Sequence, residues 1–124
     1  MTTTHRDLIE AAWDASKWQF PTGYTINDFI ADTAGWEFWP VVVDGEMAGA
    51  IMTNGPELHC CIKPAFFRRW ATLGIYRRVM RHKALHGRLT TKVNVDHDAG
   101  REFVERFGFR CVQNIGSTLI YEMR

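Results

Sequence analysis

Two residues two positions apart, Glu57 and His59, are of types that suit proton transfer. They lie in a short run, Glu57 to Ile62, that reads as a β-strand, where alternate side chains share a face. A carboxylate beside an imidazole, whose ordinary pKa is about 6.5, can take a proton from an amine near neutral pH. Glu57 also reads as a solvated strand end and His59 as an outward-facing strand residue, and the sequence leaves both readings open. Tyr121 is a further proton donor by type, or a half-buried sheet aromatic. The adjacent thiols Cys60 and Cys61 point to opposite faces of a strand, so they are poorly placed to bridge each other. No helix N-terminus or fixed base is implied beside them, and they read as small buried hydrophobes. With Cys111 they make three cysteines, in no spacing that suggests zinc, and no metal is expected.

A second chemistry is suggested by charge. The formal net charge is +1, yet no acidic residue stands between Glu57 and Asp96. That stretch carries Lys63, Arg68, Arg69, Arg77, Arg78, Arg81, Lys83, Arg88 and Lys92, with His59, His82 and His86. It makes a local positive field suited to an anion. After Ile62, the segment Arg68-Arg69-Trp70-Ala71-Thr72-Leu73-Gly74 lies near the start of a helical pattern. Amides at a helix N-terminus, aided by the helix dipole, suit a phosphate, and glycine lets the backbone come close. Arg68 and Arg69 can add charge-assisted hydrogen bonds, or can simply be a solvated helix start. Nucleic acid is a poor fit, since no helix-turn-helix partner accompanies the basic helix and basic residues alone bind unspecifically.

The elements that must position these groups follow from pattern. Residues 5–18 read as a helix capped by Thr4, with Asp7 as the reciprocal partner of a capping box. A shorter helix runs from about Ile26 to Ala34, with Thr25 or Asn27 at its start and Gly35 at its end. Trp36 to Val43, Met47 to Thr53 and Glu57 to Ile62 read as strands joined by Asp44-Gly45 and Asn54-Gly55, an antiparallel meander. Trp36, Phe38 and Trp39 pack in it, or line a cleft. Pro64 ends the third strand. A long helix is predicted from about Phe67 to Leu85, with Trp70, Leu73, Tyr76 and Met80 as its core stripe. Leu89 to Val95 is a fourth strand, parallel to the third because a helical crossover joins them. Ala99 to Phe107 is a helix capped by Gly108, and Phe109 to Gln113 and Thr118 to Met123 close the sheet.

The order helix, helix, three-strand meander, helix, strand, helix, two strands resembles the GNAT superfamily of N-acetyltransferases over nearly the whole chain. The fold class expected is therefore α/β (α+β), a mixed and mostly antiparallel sheet flanked by helices, in one domain spanning 1–124. The local matches are the exit of the late helix into Gly108-Phe109, and Ile62-Lys63-Pro64 before the loop. The resemblance implies acetyl-CoA as co-substrate and an amine of a small molecule or protein as acceptor. It places Ile62, Arg68, Arg69, Trp70, Ala71, Thr72 and Gly74 at the cofactor and Glu57 and His59 at the base. The chain departs from the family where His97 stands for an asparagine, Gly100 for an alanine and Val104 for the tyrosine acid. It also departs where Thr72 or Ala71 stands for the first loop glycine. It resembles, too, short phage proteins of this fold, so a binding or assembly role is the alternative.

Composition bounds the rest. The chain has 124 residues, 46% hydrophobic and 23% charged, with five Trp and eight Phe, enough for a core without disulfides. No apolar run is long enough to span a membrane, and the N-terminus shows no signal-peptide pattern. A cytoplasmic protein, or a virion component under the phage reading, is expected; a homodimer is left open.

Overall fold

Two threonines start the first two helices. The Thr4 hydroxyl accepts from the Asp7 amide at 3.1 Å while the Asp7 carboxylate accepts from the Thr4 amide at 2.9 Å, and helix α1, His5–Ser16, follows. Thr25 and Asp28 repeat this at 3.3 and 2.8 Å to begin α2, Ile26–Asp32. Each box satisfies amides that have no partner inside the helix. The computed structural model describes residues 3–124.

After α2 come β1, Glu37–Val43, β2, Glu46–Asn54, and β3, Glu57–Ile62, then α3, Leu73–His86, β4, Leu89–Asn94, α4, Asp98–Phe107, β5, Arg110–Ile115, and β6, Thr118–Met123. The sheet order is β1-β2-β3-β4-β6-β5. β1 with β2, β4 with β6 and β5 with β6 are antiparallel, while β3 and β4 run parallel with Glu57 opposite Thr90, as a helical crossover requires. The result is the mixed, mostly antiparallel α+β architecture expected from the sequence.

The chain gathers into two compact units, one of residues up to Asn54 with Cys60–Arg77, the other of Gly55–His59 with Arg78–Arg124. In the first, Ile9, Ala12, Phe29, Phe38, Ala50 and Met52 form the core, with Trp13, Phe20, Tyr24 and Trp36 packed against it. Phe38 and Trp39 are buried, so the aromatic strand packs rather than lines a cleft. Gly49 permits a close approach here. A Cβ on it would stand 2.0 Å from the Cys61 carbonyl oxygen. In the second unit, Leu58, Val79, Leu89, Val93, Phe109, Tyr121 and Met123 are buried.

Two expectations are corrected. The long helix begins at Leu73, not Phe67. Pro64 instead opens a 3₁₀ turn, Pro64–Phe66, and the Phe67 and Arg69 amides donate to the Pro64 and Phe66 carbonyls at 3.2 and 2.9 Å. Trp70 is buried, but in this loop. Leu73 is 62% and Tyr76 46% exposed, and Val79 is the buried residue of α3. The thiols differ as well: Cys60 is exposed, whereas Cys61 is half-buried with its Sγ 3.6 Å from the Met52 sulfur.

Candidate functional site

β3 carries the first group of site residues. Its period of two brings Glu57 and His59 together, with Nε2 of His59 2.6 Å from Oε2 of Glu57. Their side chains are 28% and 27% exposed, sheltered yet reachable. Thr90 of β4 stands opposite Glu57, and two residues on, Lys92 brings its Nζ to 4.0 Å from the same carboxylate oxygen. The hydrogen bond with His59 holds the Glu57 carboxyl below its ordinary value; burial opposes this, and the charges of His59 and Lys92 add to the lowering. The cluster therefore keeps an ionised carboxylate fixed by an imidazole. Nearby in sequence, Nε2 of His82 lies 2.7 Å from the Gly55 carbonyl oxygen, tying α3 to the turn before β3.

The loop and the tip of α3 carry the second group. Thr72 caps the helix: its hydroxyl accepts from the Ile75 amide at 3.3 Å and its carbonyl from the Tyr76 amide at 2.9 Å. The first-turn amides of Leu73 and Gly74 then point out of the helix end, where the dipole is positive. Ala71, Thr72, Leu73 and Gly74 are all exposed, and a Cβ on Gly74 would meet only the Thr72 hydroxyl, at 3.8 Å. This is a tip that an anion can approach.

The two arginines differ. Arg69 donates through Nη1 to Asp44 at 3.0 Å and lies 5.1 Å over the Phe66 ring, so it braces the loop. Arg68 is exposed on the same loop. Ile62 and Trp70 are buried, and the Trp70 amide donates to the Phe66 carbonyl at 3.2 Å. They shape the loop from beneath. Coenzyme A, if bound, would find Arg68 and the amides of Leu73 and Gly74 as its polar partners on this segment.

Sequence reasoning passed over two residues. Lys92 counted only as one of a basic run, because the register of its strand against β3 was not readable. Thr72 was weighed as a substitute for glycine, although a threonine three residues before a first-turn amide is a capping signal. At the late helix, the His97 ring lies over Gly100, where a Cβ would meet it at 2.4 Å. Burial lowers the His97 pKa, against the pull of Asp98. The larger histidine thus goes with the smaller glycine, and Val104 on the same helix offers no proton. The Cys61 thiol is pushed up by burial to about 12, which removes it as a nucleophile. Among the described residues, no group of three or more His, Cys, Asp or Glu is placed to hold a metal ion, and no helix is long and apolar enough to cross a membrane.

The sequence matches no family model and no curated protein. Solved structures do resemble it. The PaiA N-acetyltransferase of Thermoplasma acidophilum, crystallised with coenzyme A, superposes with a TM-score of 0.69 at 17% identity, covering 94% of this chain and 90% of that one. The ribosomal-protein-S18-alanine N-acetyltransferase of Escherichia coli gives 0.64 at 17% identity over 99% and 90%. A GNAT-family acetyltransferase of Staphylococcus aureus Mu50 gives 0.64 at 11% over 95% and 91%. At identities this low the likeness speaks to architecture, and the architecture of this chain is the GNAT acetyltransferase fold.

Proposed function

We propose that the chain is a CoA-dependent N-acyltransferase that moves an acetyl group from acetyl-CoA to an amine of a small molecule or a protein. The hydrogen-bonded Glu57–His59 pair, sheltered yet reachable on β3, is the observation that carries this reading. The shared fold supports it, since one protein of that fold was crystallised with coenzyme A; fold alone would not suffice. Glu57, fixed by His59, takes a proton from the acceptor amine. The amine nitrogen attacks the thioester carbonyl, the C–N bond forms, and the thiolate leaves with the C–S electron pair. With Val104 at the place of the family acid, the thiolate takes the second proton that the acylated nitrogen gives up, and Glu57 releases its proton to water. The pyrophosphate rests on the amides of Leu73 and Gly74 with Arg68 beside it, on a loop shaped by Ile62, Arg69, Trp70, Ala71 and Thr72. A reducing cytoplasm suits the thiols Cys60, Cys61 and Cys111.

Calorimetric titration with acetyl-CoA tests this. Binding is expected on the order of micromolar. Arg68→Ala weakens it about tenfold, the worth of one charge-assisted hydrogen bond. Glu57→Gln leaves binding intact and lowers turnover of a small amine about a hundredfold. No heat at millimolar acetyl-CoA overturns the proposal. It would leave a second reading, a silent binding or assembly protein such as a phage virion component, which Val104 and a first loop glycine replaced by Thr72 or Ala71 favour.

A further inference from the structure

The chain has four lysines, Lys17, Lys63, Lys83 and Lys92. Two of them stand beside a carboxylate. Lys17 reaches Asp14 at 3.6 Å on the outside of α1, where both side chains are more than half exposed. Lys92 reaches Glu57 at 4.0 Å, and there the carboxylate is different: it is 28% exposed and held in place by His59 at 2.6 Å. A base works as a catalyst when it is fixed within reach of the proton it takes. The base is fixed beside Lys92, whereas the Asp14 carboxylate beside Lys17 is an ordinary surface partner.

We infer that Lys92 is itself an acceptor, so that the chain acetylates its own Lys92 with Glu57 as the base. This rests on the acyltransferase reading above and assigns it a substrate within the chain. The Lys92 ammonium gives one proton to the Glu57 carboxylate. Its nitrogen then attacks the thioester carbonyl of acetyl-CoA, the N–C bond forms and the C–S bond breaks. The nitrogen's second proton goes to the departing thiolate, giving free CoA, and Glu57 releases its proton to water. The product is a neutral amide, so the ion pair with Glu57 disappears and His59 stays as a partner for that carboxylate. Acetylation of Lys92 therefore changes the field at the base the reaction used.

The full chain incubated with acetyl-CoA, with acetyl groups on each lysine counted by mass spectrometry over time, decides the matter. Lys92 should gain label about tenfold faster than Lys17. Glu57→Gln should bring Lys92 to the Lys17 rate, and His59→Gln, which frees the carboxylate to move, should slow Lys92 as well; a thermal melt of each variant confirms that it is folded. Equal rates at Lys92 and Lys17, or an unchanged Lys92 rate in folded Glu57→Gln, overturn the inference. Acetyl-CoA titration of the same wild-type sample separates the two failures. Binding without faster labelling of Lys92 overturns this inference alone, and neither binding nor labelling overturns the acyltransferase reading too.

Discussion

At the scale of the residue, Glu57 is where charge and position meet. Its carboxyl is held below the ordinary 4.5, chiefly by the hydrogen bond with His59. A folded pKa below the unfolded one means that the carboxylate adds stability above the ordinary value, and that this is lost as pH falls through the folded value. The stability advantage of wild type over Glu57→Gln should therefore be present above the ordinary carboxylate range and shrink as pH falls below it, read by urea unfolding at each pH. An advantage that grows on acidification would show the carboxyl to be raised instead. That these two residues meet was legible in their spacing, because a strand repeats every two residues. The difference between Arg68 and Arg69 was not. Neighbouring arginines look alike in sequence, and it is Asp44, twenty-five residues earlier, that takes up Arg69.

At the scale of the element, turn chemistry was the most readable feature. Thr4 with Asp7 and Thr25 with Asp28 form the boxes their spacing predicts, because capping is settled within four residues. The start of α3 was misjudged because Trp70, which heads the predicted stripe Trp70, Leu73, Tyr76 and Met80, is buried in the loop before the helix. Spacing alone does not say whether a buried residue belongs to a helix or to the chain leading into it. Gly49 shows the limit in the other direction. Nothing in the run Met47-Ala48-Gly49-Ala50 marks it, yet a methyl there would meet the Cys61 carbonyl, which is backbone and cannot swing aside. Gly49→Ala should cost about 3 kcal/mol in urea unfolding, as an overpacked core does. A loss of only a few tenths would mean that β2 and β3 can part without penalty.

At the scale of the whole molecule, the fold is shared with acetyltransferases at 11% to 17% identity, so little of it depends on particular residues. If acetyl-CoA binds the folded chain alone, a hundredfold excess over its Kd adds about 2.7 kcal/mol of stability and raises Tm by roughly 10 °C, measurable by scanning calorimetry. An unmoved Tm would oppose acetyl-CoA binding independently of any turnover assay. What the sequence by itself determined was the order of elements, their caps and turns, the parallel pairing across α3 and the shared strand face of Glu57 and His59. Each of these depends on residues near one another in the chain, or on the geometry of a single connection. Only the tertiary structure decided that Lys92 comes to Glu57, that Asp44 holds Arg69, and that Gly49 must stay bare. Those outcomes depend on which distant backbone lies alongside, and local pattern carries no record of that.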